Sequence, residues 1–408
     1  MIGFVFSIIK LLIILCVVAT IHEFGHFLAA KFCRVGVREF SIGFGKKLYQ
    51  KKYKETMYSI RCLPLGGYVL LDGEDEESAS ENSFEKASSL SKILILVMGV
   101  VFNIILAVLI IVPIMMSTET LTNKVTEISE TSVLKEAGSN IQIIKINGIN
   151  IKVYEDILNP KISREKTTII EYIKNGEKKV LTTNKATKDV GYAGIGFTNS
   201  TIINVVQDNS PADNAKLKSG DKILSLDGNV VNEWSEIISY IQNKALNKIN
   251  VEYERDNNIY TTELTPQVKS VFDLGITNVE IKDTDILTAF YRAYTKITLT
   301  IDSYLDIFKG NVNMNDVSSI VGIGVVVSKT EGLLDYLYLL AIISLAIGIA
   351  NILPFPPLDG GKIVIVLIEA ITRKKISIKV QNIISMAGFG ILILLSVIIM
   401  FNDILKLF

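Results

Sequence analysis

Histidine and cysteine are scarce in this chain, and their scarcity limits the chemistry available to it. Its 408 residues include 2 histidines and 3 cysteines. Because Cys16, Cys33 and Cys62 all lie near the N-terminus, the large middle region cannot hold a disulfide framework. The sequence also lacks a long basic run and has a formal net charge of zero, so its charge balance gives no indication of a nucleic-acid partner.

Apolar and charged residues are both common, which means that they must be segregated along the chain. Hydrophobic residues make up 49% of the sequence and charged residues 21%. Four apolar segments, each near the ~20 residues that a helix needs to cross a bilayer, lie at about 2–21, 93–116, 336–353 and 383–401. The first could be mistaken for a signal peptide, but Val18-Ala19-Thr20 is a weak cleavage site. The composition therefore predicts a membrane protein with a water-soluble insert.

Lysine and arginine near the membrane predict the orientation of these segments. Basic residues are concentrated in the loop after the first segment and in the loop after the third. Such loops are typically cytoplasmic. Both termini and the long middle region are therefore predicted to lie outside the cytoplasm.

Both histidines lie in one run, His22-Glu23-Phe24-Gly25-His26, at the end of the first apolar segment. Positions i and i+4 share a helix face, so both imidazoles can reach one ion at ~2.0–2.1 Å. Glu23, beside the first histidine, can accept a proton from a water that the metal activates. So short a motif also arises by chance, and histidine often caps or packs. Its place in a membrane span, where ionisable groups are costly, favours a metal site.

Two histidines leave a zinc site incomplete, and the predicted topology indicates where a third ligand should lie. It should come from another helix end on the cytoplasmic side. The third apolar segment runs into NILPFPPLDGG (351–361), in which three prolines interrupt the helix, and Asp359 then emerges on the same side as the histidines. The alternative is that Asp359 only caps a helix that begins near Gly361.

With HEFGH on its first apolar segment and NILPFPPLDGG on a later one, the chain resembles the site-2 protease family of intramembrane zinc metalloproteases. Within that family it is most similar to the bacterial PDZ-containing branch, the RseP-type regulators of sigma-factor signalling. The resemblance covers nearly the whole chain. It implies that His22, His26 and Asp359 bind Zn²⁺. It further implies that Glu23 activates water for peptide-bond hydrolysis within the membrane.

Other residues gain an expected role from the same resemblance. Asn103 and Asn351 would be polar groups near the active site, although Asn103, mid-span in the second helix, could instead make an interhelical contact. In the first loop, residues 35–44 and 57–71 have strand character and predict a hairpin. Gly43-Phe44-Gly45 and Pro64-Leu65-Gly66-Gly67-Tyr68 resemble the family's re-entrant β-hairpin, which implies an edge that receives an unfolded substrate strand. The alternative is a plain surface hairpin.

The middle region contains an internal repeat with an offset of 80 residues, which pairs 125 with 205 and 146–148 with 226–228. The second copy resembles a PDZ domain, and Gly194-Ile195-Gly196-Phe197 resembles the loop whose backbone amides bind a peptide carboxylate while the peptide adds a strand. The first copy has no glycine loop ahead of Val125, which favours a structural or gating role. Alternatively, both copies fold and bind nothing.

The predicted fold is a polytopic α-helical membrane protein with four transmembrane helices, a cytoplasmic-side β-hairpin and tandem extracytoplasmic α+β PDZ domains. In chain order, the predicted segments are the first transmembrane helix with HEFGH (1–34), the cytoplasmic-side loop and re-entrant hairpin (35–90), the second transmembrane helix (91–117), a degenerate PDZ-like domain (118–190), a PDZ domain (191–268), a linker with an amphipathic membrane-surface helix (269–334), the third transmembrane helix with LDGG (335–361), a cytoplasmic loop (362–382) and the fourth transmembrane helix (383–408).

The predicted function is Zn²⁺-dependent cleavage of transmembrane segments in the bacterial inner membrane. Single-span substrates, either anti-sigma factors or signal-peptide remnants, and the lipid bilayer are the expected partners, and the oligomeric state stays open. One alternative is an inactive membrane scaffold whose PDZ domains bind exported peptides, but a complete set of metal ligands and base argues against it. A metal transporter is another, but it would need several midplane ligands and symmetric repeats of spans.

Overall fold

The computed structural model divides the chain into two compact units. One comprises Met1–Glu119 together with Asp283–Phe408, and the other is the inserted segment Thr120–Lys282. The structure describes residues 2–74, 78, 80–130, 132–163, 167–184, 187–197, 201–207, 209–308, 320–328, 330 and 332–405.

The first unit begins with two long helices joined by a β-hairpin. Its elements are α1 (Ile2–Phe32), β1 (Val37–Tyr53), β2 (Thr56–Leu71) and α2 (Ser89–Met116). The hairpin was predicted, but β1 extends beyond the expected end at Phe44. Helix α1 runs past His26, so both histidines lie on one continuous helix. The two helices approach very closely there, since a Cβ on Gly25 would lie 2.2 Å from the carbonyl oxygen of Met98.

The inserted unit is built almost entirely of strands. Its first part contains β3 (Thr120–Ile128), β4 (Ile141–Ile146), β5 (Ile149–Asn150), a 3-10 helix (Tyr154–Leu158), α3 (Pro160–Ser163), β6 (Thr167–Lys174) and β7 (Glu177–Asn184). Its second part contains β8 (Thr187–Tyr192), β9 (Ile195–Phe197), β10 (Ile203–Val206), α4 (Pro211–Asn214), β11 (Lys222–Leu226), β12 (Asn229–Val230), α5 (Trp234–Gln242), β13 (Ile249–Arg255), β14 (Asn258–Leu264), β15 (Gln267–Phe272) and β16 (Ile276–Lys282).

The 80-residue repeat is visible in the order of these strands. Strand β4 pairs with β5 and β6, and β6 with β7; β11 pairs in the same way with β12 and β13, and β13 with β14. Each copy has its own core. Ile143 and Ile146 are fully buried in the first copy, and Ile223 and Leu226 occupy the corresponding places in the second.

The first part of the predicted linker, 269–282, is not a linker. It contributes to β15, which pairs with β8, and forms β16, which pairs with β3 in the sheet of the first copy. Leu274 and Val279 are buried in that copy's core. The second copy is thus inserted into the first. The sequence pattern could not reveal this, because the strand pair β3–β16 joins residues more than a hundred positions apart.

The chain returns to the first unit through five helices. These are α6 (Ile286–Phe308), α7 (Ile320–Ser328), α8 (Leu333–Asn351), α9 (Asp359–Thr372) and α10 (Ile378–Leu405). Among the described residues, four helices are long and apolar enough to span a membrane, namely α1, α2, α8 and α10, which agrees with the number of apolar segments in the sequence. Helix α9 corrects the predicted cytoplasmic loop 362–382. The first half of that segment is helical because Ile365 and Val366 find a buried face.

Helix α6 has the amphipathic pattern expected for residues 286–308. Ala289, Ala293 and Ile297 recur every fourth position and are buried in a cluster with residues of α2 and α8. Small residues on this stripe let α6 pack closely against the two spans. The predicted position of α6 at the membrane surface stays a prediction.

Candidate active site

Three side-chain atoms converge on one point between α1 and α9. His22 Nε2 lies 3.1 Å from His26 Nε2 and 2.9 Å from Asp359 Oδ2, and His26 Nε2 lies 3.3 Å from the same carboxylate oxygen. Tetrahedral ligands held 2.0–2.1 Å from a zinc ion are about 3.3 Å apart. The two imidazoles and the carboxylate therefore fit one zinc ion and leave a fourth position for water or substrate.

The protonation of both histidines also fits metal binding. His26 Nδ1 lies 2.8 Å from the backbone carbonyl oxygen of Ile95, so Nδ1 carries the proton and the Nε2 lone pair is available. His22 Nδ1 lies 3.3 Å from the amide nitrogen of Asn103. The amide oxygen of Asn103 is buried and has no hydrogen-bond partner among the residues that the structure describes. If the Asn103 amide is flipped, its oxygen accepts the Nδ1 proton of His22. Both that oxygen and His22 Nδ1 then have a hydrogen-bond partner.

The position of Asp359 is that expected of a metal ligand and differs from that of a helix N-cap. Asp359 is the first residue of α9 and Leu358 is the N-cap, yet Asp359 Oδ2 contacts the two imidazoles. The chain folds back sharply here, since a Cβ on Gly360 would lie 2.1 Å from the carbonyl oxygen of Ile352. The N-terminal end of a helix also favours a carboxylate. The prolines and glycines of this run thus direct Asp359 toward α1.

Asn351 and Glu23 complete the group around the three ligand atoms. Asn351, at the end of α8, places its amide nitrogen 3.2 Å from His22 Nε2. Glu23 offers a carboxylate oxygen within 4.8 Å of the ligand atoms of both histidines. It is only partly buried, and its Oε2 accepts a hydrogen bond of 2.9 Å from the backbone N–H of Val69 in β2.

The hairpin glycines lie against α1, one turn before Glu23. A Cβ on Gly66 would come within 3.2 Å of Ala19, and a Cβ on Gly67 within 3.3 Å of the hydroxyl of Thr20. Both glycines therefore permit the close approach of β2 to the helix that carries the histidines.

Gly194-Ile195-Gly196-Phe197 belongs to the other unit, in which Gly194 ends a tight loop and Ile195–Phe197 form β9. Gly194 has a φ of +75°, and a Cβ there would lie 2.2 Å from the Cβ of Ser210, so only glycine fits. The backbone N–H of Gln207 donates to the Gly194 carbonyl at 2.8 Å.

No glycine loop lies ahead of Val125, as expected, but the first copy has a loop of the same form at Gly275, much later in the sequence. Gly275 has a φ of +69°, a Cβ there would lie 2.6 Å from Ser132, and Ser129 N–H donates to the Gly275 carbonyl at 2.8 Å. This loop leads into β16 and so comes after the second copy in sequence. The likeness of Leu274-Gly275-Ile276 to Ala193-Gly194-Ile195 could have revealed it.

A cavity of about 190 Å³ opens between this loop and the 3-10 helix of the first copy. It is lined by Tyr154, Ile157, Asn159, Phe272, Asp273, Leu274 and Ile276. Its walls are partly polar and partly apolar, and its lining includes both residues that flank Gly275.

Gly99 in α2 is a further residue of the site that sequence reasoning missed. A Cβ on Gly99 would lie 2.6 Å from His26 Nε2 and 2.7 Å from His22 Cε1. The two imidazoles require the absence of a side chain at Gly99, and no local sequence pattern indicates this.

Alanine at position 99 should therefore disable the site. We expect Gly99→Ala to displace the imidazoles and lower both zinc content and peptide-bond cleavage, the latter roughly 100-fold. Zinc analysis of the purified protein and a cleavage assay measure the two effects. Gly390→Ala on α10 is the matched control, because a Cβ there meets no atom of the described residues within 4 Å. Equal activity of the two variants would contradict the geometry.

Comparison with known proteins agrees with this site. The sequence profile of peptidase family M50 matches residues 10–395. A Pasteurella multocida protein named as a zinc metalloprotease is 31% identical over 445 residues, which cover 99% of this chain and 100% of the relative. The regulator of sigma-E protease RseP of Salmonella typhimurium is 28% identical over 450 residues, with 100% of both chains covered.

Among solved structures, the HtrA3 PDZ domain bound to a phage-derived ligand is similar to part of the chain. It covers 21% of this chain and 91% of its own, with 18% identity and a TM-score of 0.19. The full-length relatives confirm the resemblance to RseP-type zinc proteases that HEFGH and NILPFPPLDGG indicated. The profile match spans both motifs and nearly all of the sequence, and the chain belongs to peptidase family M50.

Proposed function

We propose that this metallopeptidase hydrolyses peptide bonds in transmembrane segments, with His22, His26 and Asp359 as its zinc ligands. The observation that carries the proposal is the triangle of ligand atoms, 2.9–3.3 Å on each side, with a carboxylate beside it. Zinc, when bound there, supplies the Lewis acid that activates water and polarises the scissile carbonyl.

Glu23 is the general base in this proposal. Its carboxylate lies beside the ligand atoms, where it can accept a proton from the attacking water and later deliver it to the leaving amine. Asn103 and the carbonyl of Ile95 orient the two imidazoles, and Asn351 provides an amide donor at the edge of the site.

A helical substrate must unwind before its peptide bonds are accessible, because helical hydrogen bonds enclose the backbone. Strand addition provides a physical route. Strand β2, which carries Gly66 and Gly67, lies against α1 beside the site, and we propose that it receives the unwound substrate segment. Single-span proteins are the proposed substrates, in particular anti-sigma factors or signal-peptide remnants.

The proposed location is the bacterial inner membrane, with both termini and the inserted unit outside the cytoplasm. In a cysteine-free background, Val230→Cys, which replaces an exposed residue, should react with a membrane-impermeant maleimide from the outer face. Leu48→Cys in the exposed hairpin should react only from the cytoplasmic face. The reverse labelling pattern in right-side-out vesicles would show that the topology is the opposite of the one proposed.

Both repeat copies are proposed to be PDZ domains that bind a peptide carboxyl terminus. In the first copy, the Gly275 loop borders a cavity of mixed polar and apolar lining, which we propose receives the end of the peptide. A fluorescent peptide ending in a free leucine carboxylate should bind the full-length protein at least about tenfold more tightly than its amidated form. Gly275→Ala should remove the part of this binding that belongs to the first copy. Equal affinity for both peptides would contradict carboxylate capture.

The proposed function is tested by reconstitution. Purified protein in lipid vesicles should cut a single-span reporter, and mass spectrometry of the products should place the cut inside the apolar segment. A chelator should stop the reaction and zinc should restore it. A cut only in the soluble part of the reporter would contradict intramembrane proteolysis, and no zinc-dependent cut would favour the inactive scaffold.

A further inference from the structure

The hairpin reaches the catalytic region through a backbone group, the N–H of Val69, which donates to Glu23 Oε2 at 2.9 Å. We infer that this N–H positions the Glu23 carboxylate for proton transfer, so that the strand proposed to receive substrate also holds the base. This inference rests on the proposed role of Glu23.

Strand geometry leaves the Val69 N–H available for this task. Val69 lies opposite Phe40 in the antiparallel ladder, and its neighbours Tyr68 and Leu70 lie opposite Ser41 and Glu39. Along an antiparallel strand, successive residues direct their N–H and C=O groups to opposite edges. Because the Val69 N–H is directed at Glu23, it belongs to the edge that faces α1 and is not part of the β1–β2 ladder.

The strand is fixed on the side of the hydrophobic core. Leu71 and Val37 are only 3% and 2% exposed and pack with Ala29 and Ala30 of α1. Val69 itself packs against this cluster. Its backbone therefore has little freedom relative to the helix that carries Glu23.

A polar network fixes the other side. Arg61 donates to Glu39 at 2.9 Å and to the Tyr68 hydroxyl at 2.6 Å, and Ser59 donates to the same Glu39 oxygen at 2.6 Å. Burial would raise the pKa of Glu39, but the hydrogen bonds from Ser59 and Arg61 outweigh it and lower the pKa. Glu39 thus stays ionised opposite Arg61. Arg61 in turn holds Tyr68, the residue that precedes Val69.

Glu23 needs a hydrogen bond to fix its side chain more than His22 and His26 do. His22 and His26 are held by Asn103 and by the Ile95 carbonyl, whereas a glutamate side chain is long and loses much rotamer entropy when it is fixed. Within the described part of the chain, Val69 is the hydrogen-bond donor to Glu23. A hydrogen bond to a carboxylate is among the stronger ones, and a support on a rigid strand is more precise than one on a loop.

The test replaces the Tyr68–Val69 amide with an ester, which removes the N–H of Val69 and keeps its side chain. We expect kcat for the single-span reporter to fall roughly 10- to 100-fold, with KM within about twofold and zinc content unchanged. A control ester in place of the Lys54–Glu55 amide removes the N–H of Glu55 in the exposed turn of the same hairpin. We expect that control to leave kcat within about threefold of the wild type.

A genetic pair checks the same point. Val69→Ala keeps the N–H and should retain kcat, while Val69→Pro removes it at an edge position where proline is tolerated and should match the ester. Four results would overturn the inference: an unchanged kcat in the Val69 ester, a rise in KM alone, loss of zinc, or equal losses in both esters. A rise in KM alone would assign the N–H to substrate binding.

The control with Glu23→Gln separates this inference from the proposed function. If the wild type cleaves the reporter and Glu23→Gln does not, the role of Glu23 stands whatever the esters show. If Glu23→Gln cleaves normally, Glu23 is not the general base and the proposed function is wrong. The positioning of Glu23 then has no catalytic consequence.

Discussion

Replacement of Glu23 by glutamine will stop cleavage of a single-span reporter while zinc remains bound. The glutamine side chain has the same length as that of Glu23 and can still accept the hydrogen bond from Val69 N–H, but an amide does not accept a proton near neutral pH. Loss of a general base costs about 10²- to 10⁴-fold in rate. The zinc content of Glu23→Gln, measured by elemental analysis of the purified protein, should equal that of the wild type, because the three ligand atoms are untouched.

Glu55→Gln is the matched control for this substitution. Glu55 is exposed in the hairpin turn, so the same chemical change there should leave the rate unchanged. Cleavage by Glu23→Gln at more than about a tenth of the wild-type rate would contradict general-base catalysis by Glu23. Loss of zinc from Glu23→Gln would instead make Glu23 part of the metal site.

Loss of the Asp359 carboxylate should have the opposite signature, with zinc lost together with activity. Asp359→Asn keeps the shape of the side chain but replaces a charged ligand oxygen by a neutral amide. We expect zinc affinity to fall at least about 100-fold, since even residues that only orient metal ligands contribute 10- to 100-fold. Competition with a zinc-binding dye measures the affinity, and excess zinc should restore part of the activity.

Asp335→Asn on α8 is the corresponding control. Asp335 lies in the first turn of its helix, at the opposite end from Asn351, and its loss should change neither zinc affinity nor cleavage. Wild-type zinc affinity in Asp359→Asn would show that Asp359 is not a metal ligand and would leave helix capping as its role.

The candidate metal site could be predicted because each of its motifs is local in sequence. His22 and His26 lie one turn apart on a helix whose apolar pattern is clear, and Asp359 follows a proline-rich break on the same predicted side of the membrane. The spacing of the histidines and the charges of the loops were sufficient for the hypothesis. The structure adds that the carboxylate of Asp359 is directed at the imidazoles.

The supporting groups were not predictable, because each depends on contact between distant segments. Ile95 and Val69 act through backbone atoms that carry no mark in the sequence, and Gly99 matters only because two imidazoles lie where its side chain would be. Similarly, the pairing of β16 with β3 joins strands on either side of an inserted domain. Local pattern does not encode such contacts.

The same distinction between local features and distant contacts applies to the fold. Long apolar runs identified the four helices that are long and apolar enough to span a membrane, and the 80-residue offset identified the repeat. Both are properties of a continuous stretch of chain. Where the boundary depended on which strand pairs with which, as at residues 269–282, the sequence pattern alone indicated a linker.

X-ray absorption at the zinc edge of the purified wild-type protein tests the central claim most directly. A site formed by His22, His26 and Asp359 predicts one zinc ion per chain with two nitrogen ligands from imidazole, oxygen in the remaining positions and no sulfur. Zinc held by sulfur, or a protein that cleaves its reporter without any bound metal, would contradict the account.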